Sequence, residues 1–204
     1  TFTANAGIVS GQTFIPSNFR RPERQPERAR FIEWFATRGY AIEPIGPRHA
    51  WEGEGDALDA HELVVAARGY RTDAGALDEL EPLLGRELLR VELTDPYYYH
   101  LDTCFCPLRA GTALYYPPAF SPGSVRRLQA AFPDLFPVPE AEARQFACNA
   151  LVVGDKVILN DGAPETEAAL AARGFRTIAT PTSEFIKAGG SVKCLVLTLD
   201  SFGW

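Results

Sequence analysis

The stretch FACNALVVGDKVILND (146–161) decides the fold. Its two short apolar runs, 150–153 and 156–159, are split by Gly154-Asp155, a dipeptide suited to turning one strand back on another. Beyond it, 165–173 is rich in Ala, Leu and Glu and reads as a helix, with Gly174 placed where a helix-terminating glycine belongs. The run 175–179 then returns as a strand. One unit is therefore strand, turn, strand, helix, strand.

Working outward, the same layout recurs in FTANAGIVSGQTFIPSNF (2–19), EGEGDALDAHELVVAARGYRT (52–72), HLDTCFCPLRAGTALYYPPAF (100–120) and AGGSVKCLVLTL (188–199). Aligned on the polar residue that opens each apolar run, the anchors are Asn5, Asp56, Asp102, Asn149 and about Lys193, at intervals of 44 to 51 residues. Similar content at similar spacing marks an internal repeat. The first copy predicts a helix over 29–37 stopped by Gly39, then a strand over 40–42. The second predicts a helix over 77–84 stopped by Gly85, and the third a helix over 125–132 stopped by Pro133. The fifth copy ends at Trp204 with room for at most one hairpin strand and no helix. There is no Met in the chain, so Thr1 is not expected to be the translated start, and an upstream segment is expected to complete the ring.

Composition bounds the function classes. Over 204 residues, 46% hydrophobic and 23% charged side chains are ordinary for a globular fold and exclude a disordered or fibrous chain. Twenty Lys and Arg against 26 Asp and Glu leave a net charge of −6, which argues against nucleic acid or an anionic membrane as partner. No apolar run approaches the roughly 20 residues of a membrane helix. The four cysteines lie in apolar runs without the density of a disulfide scaffold, so a reduced, cytoplasmic protein is expected.

A ββαβ unit repeated in a ring brings the same end of each first strand towards one axis. Asn5, the 52–56 segment, His100 with Asp102, Asn149 and Cys194 would then converge. Carboxylates, a His and a Cys in one place suit an enzyme site; they equally suit a ring of strand-capping residues with no chemistry. Spacing alone leaves both open. His100 and Cys104, Cys106 also invite a zinc reading, but H-x3-C-x-C matches no common structural site and lacks a fourth ligand, so no metal is expected.

The stretches FTANAG (2–7), EGEGDAL (52–58), GYRT (69–72), YYHLDTCFCPL (98–108), FACNALVVG (146–154) and FIKAGGSVKCLVLTL (185–199) resemble the guanidine-modifying amidinotransferase superfamily. The likeness is nearest to the arginine dihydrolase domain of cyanobacterial arginine-degrading enzymes, and next to dimethylarginine hydrolases and arginine deiminases. It implies a five-bladed α/β propeller (the pentein fold) of ββαβ repeats, with the first or last blade incomplete, and a single domain over 1–204, shortened at its N-terminus. Family members begin upstream of the FTAN strand and place a substrate-binding Asn there.

The resemblance also implies roles. Cys194 would be the nucleophile, His100 the acid/base and Glu52 its orienting carboxylate. Asp102 would grip a guanidinium and Arg71 the substrate carboxylate, with Asp56 and Gly189 completing the pocket. Asn5 stands where deiminases carry a second guanidinium-binding Asp; dihydrolases of the superfamily carry Asn, which favours removal of both nitrogens. Arg68 departs from the aromatic residue often found there in relatives.

These residue types fit the chemistry. A guanidinium is planar and cationic, so carboxylates hold it by paired charge-assisted bonds, and a thiolate is the side-chain nucleophile best suited to neutral pH. The implied activity is hydrolysis of arginine through a covalent Cys intermediate, giving ornithine, CO2 and two ammonia, with no cofactor. Alternatives are a dimethylarginine hydrolase or deiminase giving citrulline, an amidinotransferase, and a non-catalytic relative. Each residue has a plainer reading. Cys194 in KCLVLTL would be a core residue, His100 after three tyrosines a satisfied core His, and Arg71 a partner of Asp73. Glu54 would be a solvated neighbour of Glu52, or the two would exchange roles. His49 and His61 read as surface residues, and Cys148 as core.

Overall fold

In the computed structural model, which describes residues 1–199, the chain forms four three-stranded sheets, each built from one repeat. The first holds β1 (Gly7–Ser10), β2 (Thr13–Pro16), α1 (Glu27–Ala36) and β3 (Ala41–Ile42). The second holds β4 (Ala57–Asp59), β5 (Val64–Arg68), α2 (Ala74–Leu84) and β6 (Leu88–Glu92). The third holds β7 (Phe105–Arg109), β8 (Thr112–Tyr115), α3 (Pro122–Ala131) and β9 (Asp134–Pro137). A short helix, α4 (Glu140–Ala143), leads into the fourth, which holds β10 (Leu151–Val153), β11 (Lys156–Asn160), α5 (Pro164–Ala171) and β12 (Arg176–Thr180). In every sheet the first two strands are antiparallel and the third pairs parallel to the second, the helix making the crossover.

The sequence dictates these units locally. Gly154 takes φ 61, the left-handed conformation a two-residue hairpin turn requires, and Leu151 faces Ile158 across it. Gly85 closes α2 in the same conformation, its N–H bonding to the Glu81 carbonyl. α1 lies on its sheet through Phe35, whose ring stacks on Phe14 with centroids 3.9 Å apart. Pro133 follows the extended Phe132 that ends α3. A larger apolar core joins the second, third and fourth sheets, and a smaller one, with Trp51 fully buried, joins the first and second.

The repeat is thus the propeller blade the sequence predicts, with two differences. Four of the anchors, Asn5, Asp56, Asp102 and Lys193, sit in or beside 3-10 turns, Thr3–Ala6, Gly53–Gly55, Leu101–Thr103 and Lys193–Leu195, that pack against one another, while Asn149 lies two residues ahead of β10. The fifth copy supplies the last of these turns and, among the described residues, no strand; its end, 200–204, lies outside them.

Candidate active site

Cys194 lies in the turn Lys193–Leu195, reached from α6 (Ser183–Ile186) through Gly189, Gly190 and Ser191. Gly190 permits that path: a Cβ there would stand 3.1 Å from the Cys194 sulfur and 2.7 Å from the Phe2 ring. Gly189 has φ 90, and its carbonyl accepts the Tyr99 hydroxyl at 2.7 Å. The Cys194 thiol donates to Asp102 Oδ2 at 3.2 Å, and Asn149 Nδ2 donates to the sulfur at 3.1 Å. The other Asp102 oxygen, Oδ1, is buried with no hydrogen-bond partner among the described residues.

His100 and Glu52, which precede the turns Leu101–Thr103 and Gly53–Gly55 of different repeats, meet at 2.8 Å, Nε2 to Oε2. Both are buried. Glu52 is held further by the Arg20 amide on Oε1 at 3.1 Å and by Arg71 Nη1 on Oε2 at 3.1 Å. Arg71 stacks its guanidinium over the Tyr99 ring, 4.5 Å from the centroid. With Nε2 engaged by Glu52, the free nitrogen of His100 is Nδ1, which faces Asn5 Nδ2 at 3.5 Å. Gly55 lets Asn5 and His100 approach, since a Cβ there would lie 2.2 Å from Asn5 Nδ2.

Electrostatics sorts these groups. Burial pushes the Cys194 thiol well above its ordinary value, and the charge of Asp102 adds to that. Burial also raises Asp102, against the pull of His100, Lys193, Cys194 and Asn149. For His100 burial acts downward, but the charge of Asp56, the bond and charge of Glu52, and Asp102 outweigh it and hold the imidazole above its usual value. For Glu52 burial acts upward and is outweighed by the bond and charge of His100, Arg71 and the Arg20 amide, leaving it low. The site therefore disfavours ionisation of the thiol and shifts His100, beside the Glu52 carboxylate, towards its protonated form.

Asp56, expected to touch substrate, already has both oxygens committed. Oδ1 accepts the Leu101 amide at 3.2 Å and Oδ2 the Thr72 hydroxyl at 2.7 Å, so it braces two of the packed turns. Burial pushes it up to about 6. An acid whose folded-state pKa is raised contributes stability that is full below its unfolded value and is lost as pH rises through about 6. Asp56→Asn keeps an acceptor for Leu101 and removes the ionisation. The variant is expected to melt above the parent near pH 8, by at most about 3 kcal/mol, with the difference closing near pH 4. Thermal melts at the two pH values check this; a variant less stable at the higher pH overturns it.

Several plainer readings are displaced. Glu54 is not solvated: it is buried and takes Lys193 Nζ on Oε2 at 2.5 Å, so Glu52 alone serves His100. Arg71 does not pair with Asp73, which instead binds Arg20. Cys104 donates to the His100 and Leu101 carbonyls and Cys106 to the Ala150 carbonyl, so neither thiol is turned towards an imidazole nitrogen. Among the described residues no His, Cys, Asp and Glu side chains are grouped to hold a metal. Arg68 is exposed and pairs with Glu92 at 2.7 Å. His61 is exposed, and half-buried His49 lies 3.8 Å from Glu79.

Two contributors are absent from the sequence-based site. Arg24, in the charged run RRPERQPER, bonds Asn5 Oδ1 and the Phe2 carbonyl, each at 2.8 Å, and stacks on Phe19. Lys193 carried a signal as a repeat anchor, while Asn149 is among the residues the repeat was expected to bring together. A separate cleft of about 740 Å3 between β4, β7 and β10 is lined by Glu54 and Lys193 but not by Cys194, His100 or Asp102.

Comparison with known proteins places this geometry. Residues 1–200 match the family described as N,N dimethylarginine dimethylhydrolase, eukaryotic. The N(G),N(G)-dimethylarginine dimethylaminohydrolase of Mycobacterium tuberculosis is 40% identical over 198 residues, 97% of this chain and 65% of its own length. The bifunctional arginine dihydrolase/ornithine cyclodeaminase ArgZ of Synechocystis is 40% identical over 200 residues, 96% of this chain and 28% of its own length. The chain thus spans less than two thirds of these relatives. The crystal structure of the N-terminal domain of ArgZ bound to product superposes with TM-score 0.95 at 39% identity, covering 98% of this chain and 75% of that one. Another structure of that domain holds a covalently bound reaction intermediate, with the same TM-score and coverage.

Proposed function

Because this chain belongs to the N,N-dimethylarginine dimethylhydrolase family, we propose that it hydrolyses the guanidinium group of arginine through a covalent Cys194 intermediate. The observation that carries the reading is the Asp102 carboxylate: one oxygen holds the Cys194 thiol and the other is buried and unpartnered among the described residues. A buried acceptor of that kind is costly unless a donor reaches it, and a planar cation bound there sets its carbon beside the sulfur. Its charge also offsets that of Asp102 and so favours the thiolate.

As the cation enters, the Cys194 thiol loses its proton to solvent, and attack of the thiolate on the guanidinium carbon gives a tetrahedral adduct. His100 in its imidazolium form gives its Nδ1 proton to the departing nitrogen, which leaves as ammonia. The neutral imidazole then takes a proton from water, whose oxygen adds to the amidino carbon and releases the Cys194 sulfur. Glu52 fixes the ring throughout and stabilises each imidazolium. The first cycle turns arginine and one water into citrulline and ammonia. A second, on the ureido group, consumes another water and leaves ornithine, CO2 and ammonia. Asn5, neutral and turned towards His100, supports this second cycle because it puts no further anion beside the uncharged ureido group.

A second reading takes dimethylarginine as substrate and citrulline as product; the family description and the mycobacterial relative favour it. The four cysteines are all free, which supports placement in the reducing cytoplasm. No helix of the described residues is long and apolar enough to cross a membrane. Mass spectrometry of products from L-arginine and, in parallel, dimethylarginine tests the proposal. Ornithine from arginine is expected. Citrulline as the end product moves the chain to the second reading, and no product from either overturns the hydrolase assignment.

A further inference from the structure

We propose that Asn149 is the residue that fixes the Cys194 sulfur in place and favours its ionisation to thiolate. The inference rests on Cys194 acting as the nucleophile and adds a group that orients and activates it. Asn149 is fully buried, two residues ahead of β10, and its side chain spends its hydrogen bonds on the loop that carries Cys194 and on the turn that carries Asp102. Its Oδ1 accepts the Ser191 amide at 3.0 Å and the Cys194 amide at 3.2 Å. Its Nδ2 donates to the Asp102 carbonyl at 2.9 Å and to the Cys194 sulfur at 3.1 Å. Its own carbonyl accepts the Lys193 amide at 3.1 Å.

This set of partners leaves one orientation of the carboxamide. Two backbone N–H groups face Oδ1 and can only donate, while the Asp102 carbonyl facing Nδ2 can only accept. A flipped amide would set NH2 against two N–H groups and oxygen against oxygen. Nδ2 must therefore donate to the sulfur. A donor strengthens as its acceptor gains charge, so this contact favours thiolate over thiol and opposes both burial and the Asp102 carboxylate on the other side of the same atom. It also favours sulfur as the departing group when the covalent intermediate breaks down. The loop is braced from its far side: the Ser191 hydroxyl meets Thr182 Oγ1 at 2.7 Å, and Thr182 donates to Asn160 Oδ1 at 2.6 Å. The Ser191 amide also bonds Cys194 and lowers its thiol, so Asn149 shares this influence with the loop backbone, and its own part is read by removing Nδ2 while the Ser191 hydroxyl brace stays.

The test is the pH dependence of Cys194 alkylation by iodoacetamide, with the modified residue identified by mass spectrometry. Asn149→Asp retains an oxygen for both amides and replaces the donor with lone pairs. Its alkylation midpoint is expected to rise by about one pH unit or more, a tenfold or greater loss of rate near pH 8. kcat should fall in step with the alkylation rate. Asn149→Ala removes the donor without adding charge and is expected to shift the midpoint the same way; it serves if the Asp variant does not fold. A folded variant whose midpoint matches the parent overturns the proposal. Alkylation needs no turnover, so a shifted midpoint in a protein that leaves arginine and dimethylarginine intact upholds the role of Asn149 and overturns the hydrolase reading alone.

Discussion

Cys194→Ser is expected to abolish turnover of arginine and of dimethylarginine while leaving the fold as it is. The exchange is nearly isosteric at a site only 3% exposed, and a hydroxyl keeps both the donor to Asp102 Oδ2 and the acceptor for Asn149 Nδ2. The four packed sheets lose nothing, so circular dichroism and the melting temperature should match the parent. The chemistry does not survive. A thiol becomes a strong nucleophile by losing a proton near neutral pH, and the groups around Cys194 are arranged for that change: Asn149 donates to the sulfur, and a cation at Asp102 removes the opposing charge. An alcohol stays protonated under those influences. The carboxylates around His100 shift its imidazole towards the protonated form, which lacks the free nitrogen a serine needs as base. Loss of the nucleophile should cost about four orders of magnitude or more in kcat, read as ammonia released over time. A serine variant turning over at the parent rate would remove Cys194 from its role.

How much of this is legible in the sequence depends on the range of the interaction. The blades are legible because each is built from local signals: Gly154 in a hairpin turn, Gly85 and Gly174 at helix ends, and alternating short apolar runs. The 3-10 turns are not, since Thr3–Ala6 and Leu101–Thr103 carry no periodicity of their own and are held by packing against the other turns. The choice between Glu52 and Glu54 illustrates the limit. Two residues apart in one turn, they are equivalent by sequence, and the distinction is made by partners far along the chain. Glu52 receives His100, 48 residues away, and Glu54 receives Lys193, 139 residues away. Arg24 is hidden for a different reason: a guanidinium amid other charges reads as solvated, whereas its stacking on Phe19 and its bond to Asn5 are tertiary facts.

Asp102→Asn is expected to move two measurements in opposite directions. Asp102 Oδ1 is buried and unpartnered among the described residues, and on the proposed reading it is the acceptor whose negative charge a guanidinium meets on entering. An asparagine removes that charge and substitutes NH2 for one acceptor, so kcat/KM for arginine should fall about a hundredfold or more. The same charge also opposes ionisation of Cys194, second only to burial in pushing the thiol up. Removing it lowers the thiol towards its ordinary value, so the thiolate fraction near neutral pH rises, by about tenfold for each pH unit the midpoint falls. Alkylation of Cys194 by iodoacetamide should accelerate in a variant that has lost its turnover. A variant damaged only in its packing would lose turnover without any fall in the alkylation midpoint, and that result would count against Asp102 as the electrostatic partner of both substrate and sulfur. Asn149 and Asp102 act on one sulfur with opposite sign, so a bound guanidinium, by neutralising the second, leaves the first unopposed. On the proposed reading, the site is expected to ionise its nucleophile when the substrate is in place.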